Sequence, residues 1–351
     1  MKQFLSITEL AAATGLEESL IRFYESEYAG QLPEKILRGN SLFFHPQAIA
    51  AFQNVHARHG ERSGSGDGAV VERHGYARVI AVSSGKGGVG KSNLALNLAI
   101  EFQRLGKMAL VLDADLGMAN IHLLAGIQPR YTLKDLIDTQ LPVSDLIADG
   151  PAGVGIIPGG AGILALADST ASERRRMLSA MEVMEQNAQV IVVDTAAGMG
   201  VGVRDFLKAA DEIILVLTQD LTSLADAYGL LKALQQEGLS RPVYSVVNMA
   251  ISLKQAAGVA VRFANCASQF LGLQVQNVGY VMRDSSVGAA TARRTPLNVF
   301  APNAKASKNI HNIAVALLRT GDEKIKMNSA FQRYMNLLKE KEGSEKVAMK
   351  G

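Results

Sequence analysis

"SSGKGGVGKS", residues 83–92, lies between the apolar run "RVIAV" and the helical stretch "NLALNLAIEFQRLG". That order of strand, glycine-rich turn and helix decides the fold. Gly85, four residues, Gly90, Lys91 and Ser92 satisfy G-x-x-x-x-G-K-[ST], a phosphate-binding loop in its required context. Gly85, Gly87, Gly88 and Gly90 let the backbone wrap close to phosphates, and Val89 and Asn93 complete the cradle. The helix N-terminus adds partial positive charge, Lys91 is expected at the β/γ oxygens, and Ser92 is expected to hold Mg²⁺. Lys86 is a second lysine that such a loop does not need. At the mouth of the loop it need not point at its own nucleotide, so its charge is either received elsewhere or solvated.

Outward from this loop, "MALVLDA", "VIVVDTA", "EIILVLTQ", "VYSVVNMA" and "VGYVM" continue a series of strand-length apolar runs separated by helical stretches. Alternation of this kind predicts an α/β fold, a P-loop NTPase whose mostly parallel sheet is covered by helices on both faces. "LVLDADLGMAN" puts Asp113 and Asp115 at a strand end, the edge where ligands gather in open α/β sheets. "VIVVDTAAGMG" ends a hydrophobic strand in Asp194, a Walker-B-like position that can hold the metal. A single Asp after a strand is commonly a helix cap. Three in this order after a phosphate loop argue for a nucleotide site. Asn248, in "VVNMA", offers an amide that can donate and accept toward adenine.

The chain has 351 residues, long enough for two folded units, with 48% hydrophobic and 20% charged residues and no Trp. Its apolar runs are too short to span a bilayer, and the N-terminus lacks the apolar core of a signal peptide. A single cysteine, Cys266, excludes an internal disulfide framework and a cysteine metal cluster. His45, His56 and His59 lack accompanying ligands at metal spacing. A cytoplasmic protein is expected. The net charge of +3 is too small to establish a nucleic-acid partner.

Residues 60–75, "GERSGSGDGAVVERHG", have the composition of a tether. The expected organisation is therefore an N-terminal domain over 1–60, a linker over 61–76, an ATPase domain over 77–320 and a charged tail over 321–351. In the first domain Ser6 and Glu9 form a capping-box pattern ahead of Ile7, Leu10 and Ala11, and Gly15 breaks that helix. A second helix is expected from Glu17 to about Glu25, two strands joined at Gly39-Asn40, and a third helix from Pro46 to Gly60. In the tail, Phe331, Tyr334, Met335 and Leu338 follow i, i+3, i+4, i+7 spacing beside Arg333, Lys339 and Lys341. Such a helix either lies on an anionic membrane, at the inner face of the cell membrane, or packs on the ATPase core.

"GKGGVGKS" resembles the deviant phosphate loop of the MinD/ParA family. The resemblance implies a weak Mg²⁺-dependent ATPase in which Lys86 reaches across an ATP-dependent homodimer to the partner's nucleotide. It implies that Asp115 positions or activates the attacking water, that Asp113 supports Mg²⁺ through water, and that Pro296 flanks the base. "DTAAGMG", "TSLADAYGLLKAL", "VNMA" and "PNAKASKNI" look most like FleN/FlhG, the family members that control flagellar number and placement. The implied partners are an AAA+ transcriptional activator or an FlhF-like GTPase, although the short FlhF-stimulating motif is not found. "ITELAAATGLEESLIRFYE" followed by "LRGN" resembles a MerR-type winged helix-turn-helix. In that resemblance Ser19 and Arg22 face DNA and Arg38 touches phosphate from the wing. Residues 1–62 hold about as many acidic as basic side chains, so a protein-docking role stays open beside DNA. The other functional class is a ParA-like DNA-segregation ATPase with an autorepressor domain.

Overall fold

The computed structural model describes residues 4–15, 21, 35–38, 41–52, 76–115, 120–138, 141, 143–159, 180–320 and 329–338. The chain divides into two compact units, Met1–Arg73 and His74–Gly351.

In the first unit, Leu5–Ser6 (β1), Lys35–Arg38 (β2) and Ser41–Phe44 (β3) form an antiparallel sheet of order β1-β3-β2. The helix Ile7–Thr14 opens on the expected capping box, with Ser6 and Glu9 satisfying each other's backbone N–H groups, and it closes on Gly15 at φ 71°. Leu10, Ile21, Phe44, Ala48 and Phe52 form its small core, and Phe44 meets Phe52 edge to face. Arg38 pairs with Ser41 at the end of the β2–β3 hairpin next to residues 39–40. Ser19, Arg22 and the 61–75 stretch lie outside the described residues.

The second unit is an eight-stranded sheet of order β11-β10-β9-β4-β8-β5-β7-β6. Its strands are Arg78–Ser83 (β4), Ala109–Ala114 (β5), Ala148–Asp149 (β6), Gly155–Ile157 (β7), Val190–Thr195 (β8), Glu212–Leu217 (β9), Val243–Ala250 (β10) and Val275–Met282 (β11). Every pairing is parallel except β6 with β7. β5, β8 and β9 are buried along their whole length, which is why each reads as an unbroken hydrophobic run instead of an alternation. The sequence reading found six of these strands. β6 and β7 are too short to make an apolar run of their own. β4 is central, flanked by β8 and β9, so the loops leaving the carboxyl ends of neighbouring strands converge over the phosphate loop.

The apolar stripe near the C-terminus is decided by packing. Residues 330–338 are helical, and Phe331, Tyr334 and Met335 are buried in the core cluster that contains β8 and β9 residues. Tyr334 stacks on Phe206 with ring centroids 4.1 Å apart. Arg333 donates to the Ala209 carbonyl and to Asp211, both at 2.8 Å. The buried Glu185 carboxylate accepts the Ser329 hydroxyl and, at 2.8 Å, the Ala330 N–H, and burial raises its pKa to about 7. Of the two placements expected for this stripe, the structure shows packing on the ATPase core, which covers Phe331, Tyr334 and Met335. Lys339 and Lys341 lie outside the described residues. Phe331→Ala should lower the stability of the full chain by about 3 kcal/mol, the usual cost of emptying a buried aromatic site. Chemical denaturation checks this, and an unchanged midpoint would show the helix to be loosely held. Among the described residues no helix is long and apolar enough to cross a membrane.

Candidate functional site

The phosphate loop leaves β4 and runs into the helix Lys91–Arg104. Gly88 and Gly90 take φ values of 76° and 90°, a left-handed path that glycine adopts without strain. Gly85 is needed for another reason, since a Cβ there would fall 2.1 Å from the backbone of Asp226 in the helix Leu221–Gln236. No side chain caps the helix at Gly90, so its first N–H groups are left for an anion. Lys91 is only 7% exposed and Val89 is buried, while Ser92 and Asn93 sit half-buried on the first turn. Gly87 carries nothing within 4 Å of where a Cβ would be, so the outer lip is open.

Asp113 and Asp194 are paired neighbours in the β5–β8 register. Asp194 is 1% exposed, and neither of its oxygens receives a hydrogen bond of full geometry, although the Ser92 hydroxyl and the Lys91 ammonium lie near enough to favour its charge. Burial dominates and raises its pKa to about 7. Burial also raises Asp113 to about 6, against backbone bonds that favour the anion, among them the Ile121 N–H at 3.0 Å and the Asp115 N–H at 3.3 Å. Asp113 therefore holds the backbone at Asp115 and Ile121, and its expected support of Mg²⁺ must share the carboxylate with those bonds. Asp115 is half-buried directly after it. A buried carboxylate with unmatched oxygens beside Ser92 fits a divalent cation, and a site with one or two carboxylates that relies on phosphate oxygens suits Mg²⁺. No cluster of three His, Cys, Asp or Glu side chains suited to a metal occurs among the described residues.

The raised Asp194 pKa has a definite sign in stability. The folded state binds this proton more tightly than the unfolded chain, so the contribution is most favourable below 3.8 and is lost as pH rises to about 7. Mg²⁺-nucleotide, by matching the charge, should raise the melting temperature more at pH 8 than at pH 5.5. Asp194→Asn should flatten much of that difference. Equal increments at both pH values in the wild-type chain would contradict this reading of Asp194.

Lys86 does not enter its own cradle. Its ammonium is 2.8 Å from Asp220 Oδ2 and 2.8 Å from Thr222 Oγ1, with the side chain 45% exposed. The Lys86 bond, followed by those from Thr222, holds the Asp220 pKa below its usual range. An exposed ion pair is weak, so this one keeps Lys86 on the lip without committing it. Asp220 and Thr222 were missed in the sequence. Asp220 follows β9 and caps the next helix by accepting the Thr222 N–H at 3.2 Å, a pattern with only local meaning until Lys86 is seen beside it.

Asn248, expected to face adenine, makes a bond within the chain at each end of its amide. Its Nδ2 donates to the Val89 carbonyl at 2.7 Å and its Oδ1 accepts the Met249 N–H at 2.8 Å. Pro296 is buried at the start of the short helix Leu297–Phe300. A buried network ties that segment to the phosphate-loop helix. Asn97 accepts the Asn298 N–H at 2.8 Å, and Glu101 accepts the Asn298 amide at 2.7 Å and faces His311 at 2.8 Å. Met249 and Arg294, close to Asn248 and Pro296, are both non-glycine residues at positive φ, 56° and 50°. Backbone strain of this kind persists where surrounding structure enforces it, often at ligand sites.

Residues 77–239 match the AAA domain family. The antiactivator FleN of Pseudomonas aeruginosa is 37% identical over 231 residues, which cover 66% of this chain and 82% of that protein. The chain belongs to the MinD/ParA family of P-loop ATPases. Its similarity falls on the FleN/FlhG side of the family, for the flagellum site-determining protein YlxH of Helicobacter pylori is 29% identical over 272 residues, covering 76% of this chain and 92% of that one. The septum site-determining protein MinD of Pyrococcus horikoshii, solved with Mg-ADP, shares the fold at a TM-score of 0.55 and 22% identity, over 70% of this chain and 98% of that chain. The family assignment agrees with a cradle built for a nucleoside triphosphate.

Proposed function

We propose that this ATPase is an ATP-dependent dimerising switch that regulates flagellar number, placement or flagellar gene expression. The observation that carries the reading is the division of labour between two lysines only five positions apart in sequence: Lys91 is buried at the head of the helix, and Lys86 stands on the exposed lip. A lysine on the lip serves a phosphate group that does not belong to its own cradle. FleN and YlxH supply the flagellar context.

In this reading ATP lies in the cradle of residues 85–93, with Lys91 on the β/γ oxygens. Ser92 and Asp194, with Asp113 behind them, would hold Mg²⁺, which would supply positive charge beside the phosphate oxygens. Asp115 orients the attacking water. Lys86 leaves Asp220 and Thr222 and meets the nucleotide of a second copy. The segment between β8 and the helix Val201–Ala209 is already tied to the loop, since the Gly198 N–H donates to the Ser84 carbonyl at 3.0 Å, so a change in the loop reaches that helix. Hydrolysis ends the dimer and acts as a timer. The partner is an AAA+ transcriptional activator or an FlhF-like GTPase, met in the cytoplasm. The N-terminal unit, with its capped helix and β2–β3 hairpin, reads as a MerR-like module for DNA through Ser19, Arg22 and Arg38.

Deletion of the gene in its host should change the number or position of flagella, with the wild-type chain restoring them and Asp115→Ala failing to. Unchanged flagella would end the flagellar reading. A chain lacking residues 1–62 should lose sequence-selective DNA retention, and equal retention by both forms would assign DNA contact elsewhere.

A further inference from the structure

β10 does not run evenly to its end. Its register against β11 shifts between Val247 and Ala250, and Met249 turns to φ 56°. This irregularity re-aims Asn248 at the phosphate loop, as bulges near sites commonly do. Its Oδ1 accepts the Met249 N–H at 2.8 Å, which settles the orientation of the amide and leaves Nδ2 to face the Val89 carbonyl at 2.7 Å. Gly90 makes the approach possible, because a Cβ there would stand 2.4 Å from that Nδ2.

The Val89–Gly90 peptide is trans, so its C=O and N–H point to opposite sides of the chain. Holding the Val89 carbonyl on Asn248 turns the Gly90 N–H away from β10. We infer that Asn248 is a positioning residue for the phosphate loop: its amide clamps the Val89 carbonyl and thereby aims the Gly90 N–H at a phosphate oxygen, whatever base the nucleotide carries. The inference rests on the ATP-binding reading above. It gives Asn248 a task that concerns the triphosphate group, and the chain's Asn248-Met249 pair is built for it, since the left-handed Met249 keeps its own N–H on Oδ1.

Substitution separates this from adenine recognition. Asn248→Asp sets a carboxylate oxygen against the Val89 carbonyl, and Asn248→Ala removes the donor without adding repulsion. Binding of ATP and of inorganic tripolyphosphate, each with Mg²⁺, is measured calorimetrically on the full-length wild-type and variant chains, with thermal melts of the free proteins to confirm folding. The expected result is a graded loss, wild type above Ala above Asp, of the same factor for both ligands, on the order of tenfold or more for Asp. Loss of ATP affinity with tripolyphosphate binding unchanged overturns the inference in favour of base reading, and unchanged binding of both ligands overturns it outright. If Asn248→Asp melts early, Asn248→Ala alone decides by the same comparison. A wild-type chain that binds neither ligand would overturn the nucleotide reading itself and this inference with it.

Discussion

Lys91→Ala should abolish nucleotide binding while leaving the fold intact. Lys91 is the first residue of its helix and 7% exposed, and in the proposed reading it is the charged group that meets the β/γ-phosphates. Its removal deletes charge-assisted hydrogen bonds, which are about twice as strong as neutral ones, from a poorly hydrated site. At roughly 1.5 to 3 kcal/mol for each such bond, loss of two or more lowers affinity by about a hundredfold or beyond. Alanine is a good helix residue and relieves a buried ammonium, so the free protein should melt no earlier than wild type. Titration with Mg²⁺-ATP checks the effect. Wild-type affinity in the variant would mean that the motif at Gly85–Ser92 is not the nucleotide site.

Lys86→Ala should behave in the opposite way, binding ATP normally and failing to dimerise. The lysine is exposed and held by Asp220 and Thr222, outside the cradle. A two-fold dimer uses the same contact twice, so one substitution removes two lysine–phosphate interactions. With the same strength per charge-assisted bond, the ATP-dependent dimer should weaken by about two orders of magnitude or more, and turnover should fall with it. Size-exclusion chromatography in ATP and Mg²⁺ measures this. A normal dimer from Lys86→Ala would remove the reach of this lysine to a second copy and leave a lip residue paired with Asp220.

Much of the site was legible because its parts are local. The loop demands left-handed backbone at Gly88 and Gly90, a small residue at Gly85, and a helix directly afterwards, and all of these lie within a dozen positions of one another. The strand ends carrying Asp113, Asp115 and Asp194 were visible for a similar reason, since a strand buried on both faces must be apolar until it emerges at the ligand edge. Asn248 shows the boundary of that legibility. Its place at a strand end could be read, but its commitment to Val89 depends on a register shift and on a partner 159 positions away.

The sequence by itself determined the P-loop α/β architecture, the order of the phosphate loop and its carboxylates, the capping of the first helix, and the existence of an amphipathic stripe at residues 331–338. Tertiary structure alone decided what each ambiguous surface meets. It set Lys86 against Asp220, 134 positions on, and Glu185 against Ser329, 144 positions on, and it covered Phe331, Tyr334 and Met335 with the ATPase core. Periodicity reports that one face of a helix avoids water, because alternation of apolar and polar groups follows from helix geometry alone. It carries no information on whether lipid or protein excludes that water, which is set by the atoms that long-range folding brings to the face.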